Sequence, residues 1–405
     1  MRFEKTPSLV VVPDPRGDDF MSVDEPQLLP EPRIRMPEAK SRLMSANEYN
    51  ALNRSRNVQC WLIPYVTSRL HPLKFRPILS YLFTDWKCNL DCHYCWAFDN
   101  KVPGTTEDTA KRSLDWLHSV GCRVAAIMGG EPLIRPQFIR KLVYYGSQRG
   151  FFMYLPTNGR LMKPEIIDEI GDAGVAVWNL AVDAVRPKPG LPKALHPIRS
   201  QFEYLIRMQR HYGFMAFLNI NICRNNLDDV KELTEIARDH GIATDYHINE
   251  PPMMAQSQFR HLEDNPTFLR PDDFPTVDDL LDYLSDKNRS GYKMVNSCRH
   301  FEDMKAFMRG RVEPWACRAG HNTSLIRTDG TLAPCFSLYS STFDWGVIED
   351  PQFDRRQLEE MKKSCNRQCL STCQHTVGYA YSAWRVVKWL GKQAARGFHG
   401  VTGGF

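Results

Sequence analysis

Three cysteines stand close together in Cys88-Asn89-Leu90-Asp91-Cys92-His93-Tyr94-Cys95, directly after an apolar, β-prone run at 78–84. Thiolates on one short loop can ligate three irons of a cubane iron–sulfur cluster, and most such clusters take a fourth cysteine. Its absence would leave one iron open to a small ligand. Zinc is the competing chemistry, because Cys92-His93-Tyr94-Cys95 has the spacing of half a zinc knuckle. Cys88 fits that pattern poorly and no matching pair lies nearby, so the cluster explains more of the residues. A second group, Cys317, Cys335, Cys365, Cys369 and Cys373, follows much later. Five thiolates can complete one four-cysteine cluster with one to spare, or hold zinc. The other chemistry-bearing stretches are Gly129-Gly130-Glu131-Pro132, Thr157-Asn158-Gly159 and Asp183. Paired glycines let backbone approach a ligand closely, and the carboxylate after them can pair with an ammonium. Thr157, Asn158 and Asp183 could equally cap turns. No side chain stands out as a general base or radical quencher; Cys298 and His247 are candidates by position alone.

The elements that must position these residues alternate. β-prone runs at 78–84, 123–128, 151–155, 175–182, 215–222 and 244–249 are separated by helical patterns at 107–119, 136–146, 163–173, 199–212 and 227–240. In the first helix Ala110, Leu114 and Leu117 recur on one face. Apolar strands alternating with amphipathic helices predict right-handed βαβ units and a parallel sheet. Six units are too few for a closed eight-strand barrel. In α/β barrels the chemistry sits at the carboxyl ends of the strands. Here the first cysteine loop, residues 129–132, Thr157 and Asn158, Asp183, Asn225 and Asn226, and Glu250 each follow a predicted strand, from the first to the sixth.

With an aromatic residue before its last cysteine, the C-x3-C-x2-C loop resembles the signature of the radical S-adenosylmethionine (radical SAM) superfamily. Residues 129–132 are similar to the GGEP motif of that family. The C-x12-G-x4-C run through Cys317, Gly330 and Cys335 is similar to the opening of its SPASM and twitch auxiliary-cluster domains. The resemblance implies an α/β fold, an open six-strand (βα)6 partial TIM barrel with a small C-terminal cysteine-rich auxiliary-cluster domain. It implies a [4Fe-4S] cluster with an open iron on Cys88, Cys92 and Cys95, and S-adenosyl-L-methionine chelating that iron. Gly129, Gly130, Glu131 and Pro132 would meet its amino group, and Thr157, Asn158 and Asp183 its ribose or carboxylate. It implies reductive cleavage of S-adenosylmethionine to a 5′-deoxyadenosyl radical that modifies a substrate, fed by an electron donor such as a flavodoxin or ferredoxin. The chain departs from the full SPASM pattern after the predicted hairpin at 324–335, where Asp329-Gly330 forms the turn. Only three cysteines follow it. That points to a single second, auxiliary [4Fe-4S] cluster, twitch-like, held by Cys317, Cys335 and two of Cys365, Cys369 and Cys373. The competing class is a non-enzymatic Fe–S or zinc protein for electron transfer or sensing. The incomplete three-cysteine site and the substrate-sized barrel oppose it.

The expected organisation is an irregular, proline-rich N-terminal arm over 1–75 with a short helix at 45–56, and the barrel over 76–255. A helical linker over 256–310, with helices at 276–285 and 301–310, leads to the auxiliary-cluster region over 311–376 and a basic amphipathic helix and tail over 377–405. The formal net charge of +5 over 405 residues is too mild to predict a nucleic-acid partner. No stretch reads as a signal peptide or as a membrane-spanning run. Twelve cysteines then read as metal or catalytic thiols in a reducing, cytoplasmic setting. Arg385, Lys388, Lys392 and Arg396 share a helical face bordered by Trp384 and Trp389, a pattern suited to an anionic membrane surface. Together with Arg69, His71, Lys74 and Arg76, it raises the expectation of peripheral contact at the inner membrane surface and of an apolar substrate, an isoprenoid or acyl lipid. The alternative is a SPASM-type maturase that modifies a peptide or protein.

Overall fold

The computed structural model describes residues 42–95, 101–248, 265–311, 315–339, 343–365 and 369–382. The first part of the expected arm, Glu250, the start of the linker and the basic helix beyond residue 382 lie outside the described residues. The arm expected to be irregular through residue 75 is helical over α1 (Ala46–Asn57), a π-helical turn at Val58–Leu62 and α2 (Ile63–Leu70). Ser45 starts it with a capping box: its hydroxyl accepts from the Glu48 N–H, and the Glu48 carboxylate accepts from the Ser45 N–H. Pro64 lacks the N–H that an unbroken helix would need. The π turn just ahead of it absorbs the lost bond.

The six expected strands form within two residues of their predicted ends: β1 (Leu79–Asp85), β2 (Val124–Gly129), β3 (Phe152–Thr157), β4 (Val177–Ala181), β5 (Met215–Ile222) and β6 (Ala243–Ile248). They run parallel and in sequence order. Helices α3 (Glu107–Ser119), α4 (Pro136–Gln148), α5 (Pro164–Asp172), α6 (Arg199–Tyr212) and α7 (Leu227–Asp239) cover the outside. The linker helices are longer than predicted, α8 (Phe274–Arg289) and α9 (Cys298–Met308). The predicted hairpin, β7 (Thr323–Ile326) and β8 (Leu332–Ala333), does not stand apart from the barrel. β7 pairs parallel with β1 and extends the sheet to the order β6-β5-β4-β3-β2-β1-β7-β8. An edge strand offers unpaired backbone groups that a neighbouring strand can satisfy, and all four residues of β7 are buried. The small β9 (Gly346–Val347) and β10 (Asp350–Pro351) precede α10 (Arg355–Cys365) and α11 (Thr372–Tyr381).

Alternate residues of each strand face opposite sides. Leu82, Ile127, Leu155, Trp178, Leu218 and Tyr246 pack under the helices. The other set faces inward and changes character along each strand. At the amino ends it is apolar, with Leu79, Val124, Phe152, Val177, Met215 and Ala243 in one buried cluster. Toward the carboxyl ends it becomes Tyr154, Asn179, Asn219, Asn221, Asp245 and His247. The first helices cross the amino ends: Trp61 packs edge-on against Phe152, Tyr49 donates to the Phe214 carbonyl at 3.0 Å and Arg56 to that of Gly213 at 2.6 Å.

The open side between β6 and the β7–β8 hairpin is bridged by helices. Asn296, just before α9, binds the β6 edge through both Tyr246 backbone groups, at 2.8 and 2.9 Å. From α9, His300 stacks on His375 of α11 with ring centroids 4.4 Å apart. Next to His375, Gln374 accepts from the Thr323 hydroxyl of β7 at 2.6 Å. Asn296→Ala should orphan two buried backbone groups, and an orphaned group costs about 1–3 kcal/mol. The expected outcome is a clear fall in the urea midpoint. An unchanged midpoint would show that the β6 edge does not depend on this clamp.

Candidate active site

The site begins where β1 ends. Asp85 turns the chain by accepting from the Lys87 N–H at 3.0 Å. The end of β2 then runs directly against this turn, with Gly130 N–H donating to the Asp85 carbonyl at 2.9 Å and Glu131 N–H to that of Lys87 at 2.8 Å. A Cβ on Gly130 would lie 2.1 Å from the Lys87 oxygen, and one on Gly129 2.3 Å from the Asp85 oxygen. Gly129 also has φ +153°. The backbone these glycines accommodate is thus the chain leading into the cysteine loop.

Glu131 is 1% exposed, and burial raises its pKa against three hydrogen bonds that lower it. Its Oε1 accepts from Leu133 N–H at 2.9 Å and from the Thr157 hydroxyl at 2.8 Å, and its Oε2 from Asn158 N–H at 2.8 Å. A carboxylate has about four acceptor positions, so Oε2 retains the capacity for one more donor. Asn158 reaches from the end of β3 to the cysteine loop, its amide donating to Asn89 Oδ1 at 2.8 Å. Asp183, after β4, takes the Tyr94 hydroxyl at 2.5 Å on Oδ2 and the Asn221 N–H at 2.9 Å on Oδ1. Burial raises the Asp183 pKa, opposed by Lys193 and by the Tyr94 hydrogen bond. The loop is stapled again by His93 N–H to the Gly190 carbonyl at 3.0 Å. Three strand ends thus converge on Cys88, Cys92 and Cys95.

Residues 87–254 match the Radical SAM superfamily. This stretch of the chain is similar to radical SAM enzymes. An AdoMet-dependent heme synthase of Methanosarcina barkeri is 31% identical over 169 residues, 40% of this chain and 47% of that protein. The chain therefore spans about half the length of this curated relative. Among solved structures, Streptococcus suis SuiB aligns with a TM-score of 0.57 at 14% identity, over 79% of this chain and 74% of its own. The AdoMet-bound anSMEcpe aligns with a TM-score of 0.51 at 17% identity, over 72% and 81%. These two likenesses show the shared fold.

The cofactors of the radical SAM superfamily are a [4Fe-4S] cluster and S-adenosylmethionine, and the donor set suits the cluster. Burial pushes the Cys88 thiol up to about 11 and raises Cys92 further. Metal binding is what would displace those protons. Among the described residues no three His, Cys, Asp or Glu side chains converge tightly enough for a single metal ion. Beside the loop lies Lys193, a residue that sequence reasoning missed. Its ammonium donates to the Tyr94 hydroxyl at 3.0 Å and sits over the Tyr94 ring. Burial works against its charge, yet Cys92, Asp183, Cys95 and Cys88 together raise its pKa. Nothing local in the sequence marks this lysine, because it comes from the loop after β4.

In the second group, Cys317 and Cys365 both raise the pKa of Cys335, behind the larger effect of burial. These three thiols are neighbours. Cys369 is buried, its sulfur accepting from Ser371 N–H at 3.4 Å. The Cys373 thiol bears instead on the inward-facing phenols of Tyr81 and Tyr154 and raises both. A lysine missed from sequence lies here too. Lys362 is 6% exposed, contacts His321 Nδ1 at 2.8 Å and lies close enough to Cys317 for the two pKa values to respond to each other. Cys298 lies away from both groups, against the Ser285 carbonyl and Asn288 between α8 and α9.

A positive charge beside a cluster favours its more negative, reduced form. Lys193→Met should therefore lower the midpoint potential of the first cluster, by tens of millivolts as an order of magnitude for one screened charge. Potentiometric titration followed by electron paramagnetic resonance measures it. A potential that stays put or rises would remove Lys193 from this role.

Proposed function

We propose that the chain is a radical SAM enzyme that acts on a polar substrate held inside the carboxyl half of the barrel. The carrying observation is the three-cysteine loop, stapled by Glu131, Asn158 and the Asp183–Tyr94 pair at the carboxyl end of a barrel whose inward residues there are polar. When bound, the cluster and S-adenosylmethionine supply reductive carbon–sulfur cleavage and a 5′-deoxyadenosyl radical that takes a hydrogen atom from the substrate. Cys88, Cys92 and Cys95 would hold the cluster. Gly129, Gly130 and Pro132 shape the strand end beside it, and the spare position on Glu131 Oε2 suits an ammonium. Thr157, Asn158 and Asp183 act chiefly as fasteners of the loop. Lys193 balances its charge. A flavodoxin or ferredoxin suits the role of electron donor.

For the second group, Cys317, Cys335, Cys365 and Cys369 are the proposed ligands of one auxiliary cluster, with Cys373 turned toward the barrel. The mutual influence of Cys317, Cys335 and Cys365 supports this grouping. An apolar lipid finds little support in the described chamber, because a hydrocarbon would strip water from Asn179, Asn219, Asp245 and His247 without replacing its hydrogen bonds. Among the described residues no helix is long and apolar enough to cross a membrane. The membrane-surface reading rests on a helix mostly beyond residue 382, outside the described residues.

Four irons per cubane give about eight per fully loaded chain. Replacing Cys88, Cys92 and Cys95 together with Ala should abolish methionine and 5′-deoxyadenosine formation and leave about half of the iron. Cys365→Ser should remove the other half, whereas Cys373→Ser should keep it. Retained S-adenosylmethionine cleavage in the triple variant would overturn the proposed function. Loss of half the iron in Cys373→Ser would place that thiol among the ligands.

A further inference from the structure

Among the described residues, two acceptor atoms inside the barrel lack a donor. Asp245 is 8% exposed and Asn179 5% exposed, and Oδ1 of each has no hydrogen-bond partner. The two face the same interior. Asn179 pairs in register with Phe217 and Phe217 with Ala243, so Asp245 stands one inward position nearer the carboxyl end than the level of Asn179. Tyr154 lies between them in effect: its hydroxyl accepts from Asn179 Nδ2 at 2.6 Å, and the Asp245 carboxylate is near enough to raise its pKa.

Among the described residues no lysine or arginine pairs with Asp245; its charged-group contact is His247, with Nε2 3.4 Å from Oδ2. That same nitrogen lies 3.0 Å from the Asn219 amide. His247 Nε2 is thus shared between the Asn219 amide and Asp245 Oδ2 and does not reach Asp245 Oδ1. A buried carboxylate oxygen without a donor is costly, and so is a buried amide oxygen. An ammonium brings three donors and one positive charge, which suits acceptors of both kinds.

We propose that Asp245 and Asn179 form a subsite that receives a primary amine of the substrate. This rests on reading the barrel as the substrate chamber of a radical SAM enzyme. The amine would anchor one end of the molecule below the S-adenosylmethionine site, leaving a carbon farther up to face it. Neutral hydroxyl or amide donors would fill the same acceptors without answering the charge, and a carboxylate would be repelled.

The probes are n-pentylamine, 1-pentanol and pentanoate, titrated by ligand-observed NMR into the anaerobic, cluster-loaded protein with S-adenosylmethionine bound. Pentylamine should bind at least tenfold more tightly than pentanoate and more tightly than pentanol. Asp245→Asn should weaken the amine about tenfold and leave pentanoate no weaker. Asn179→Ala should weaken the amine several-fold, which keeps a second route open if the first variant misfolds. Iron content and S-adenosylmethionine affinity report whether each variant is folded. Equal binding of amine and pentanoate, or undiminished amine binding in folded Asp245→Asn, would overturn the subsite. If the wild type prefers the amine but never cleaves S-adenosylmethionine, the subsite stands and the radical SAM activity falls.

Discussion

Backbone contact between the end of β2 and the turn after β1 governs the geometry of the first cysteine loop. Gly130 approaches Lys87 so closely that a single added carbon would collide with its carbonyl. The two hydrogen bonds across that contact continue strand pairing one step beyond the sheet. Cys88 therefore leaves the sheet from a fixed point, and so do the sulfurs that follow. The next residue, Glu131, carries the constraint to β3 by binding the Thr157 hydroxyl and the Asn158 N–H. Its burial is tolerable because three donors replace the water it has lost. A loop so short would otherwise sample many arrangements, and a site built on rigid strand ends avoids that cost.

Charge follows the same logic at both cysteine groups. Lys362 is buried and Lys193 partly so, and each sits beside thiols whose pKa burial raises. Neutral thiols do not compensate an ammonium. Metal-bound thiolates do, because several negative charges collect around a cluster. Asp183 supplies part of the balance at the first group, reached through Tyr94. At the second, Lys362 lies 3.6 Å from the Glu359 carboxylate and beside an imidazole, that of His321, that burial and Lys362 itself push down to about 4.

What could be read from the chain followed local pattern. The alternation of apolar strands and amphipathic helices placed six strands and five covering helices, because each unit buries its own apolar face. Strand ends could be read because the barrel puts chemistry there. The job of Glu131 could not: nothing in a glycine-glutamate string says that the carboxylate fastens β2 to β3. Tertiary context also decided the N-terminal segment, where a capping box and a π turn carry a helix past Pro64. Likewise the hairpin reads as a hairpin, but its docking on the free edge of β1 depends on which edge is exposed. Lys193 and Lys362 were invisible for a related reason. A lysine in a polar stretch reads as solvated until the fold brings thiols to it. Of the inward polar residues only His247 was singled out; Asn179 is a lone polar residue in the apolar strand Val177–Ala181, where it resembles noise.

The placement of α11 ties the second cysteine group to the chamber. This helix closes the gap between β6 and the β7–β8 hairpin, touching β7 through Gln374 and α9 through His375. It begins at the residue before Cys373, whose thiol meets the phenols of Tyr81 and Tyr154 on the inner wall. Its other end is fastened to the N-terminal helices, with Tyr65 donating to the Ala380 carbonyl at 2.9 Å. The segment that binds the second group is thus also one wall of the chamber. Metal on Cys365 or Cys369, as proposed, would therefore steady the start of α11 and the packing beside Tyr81.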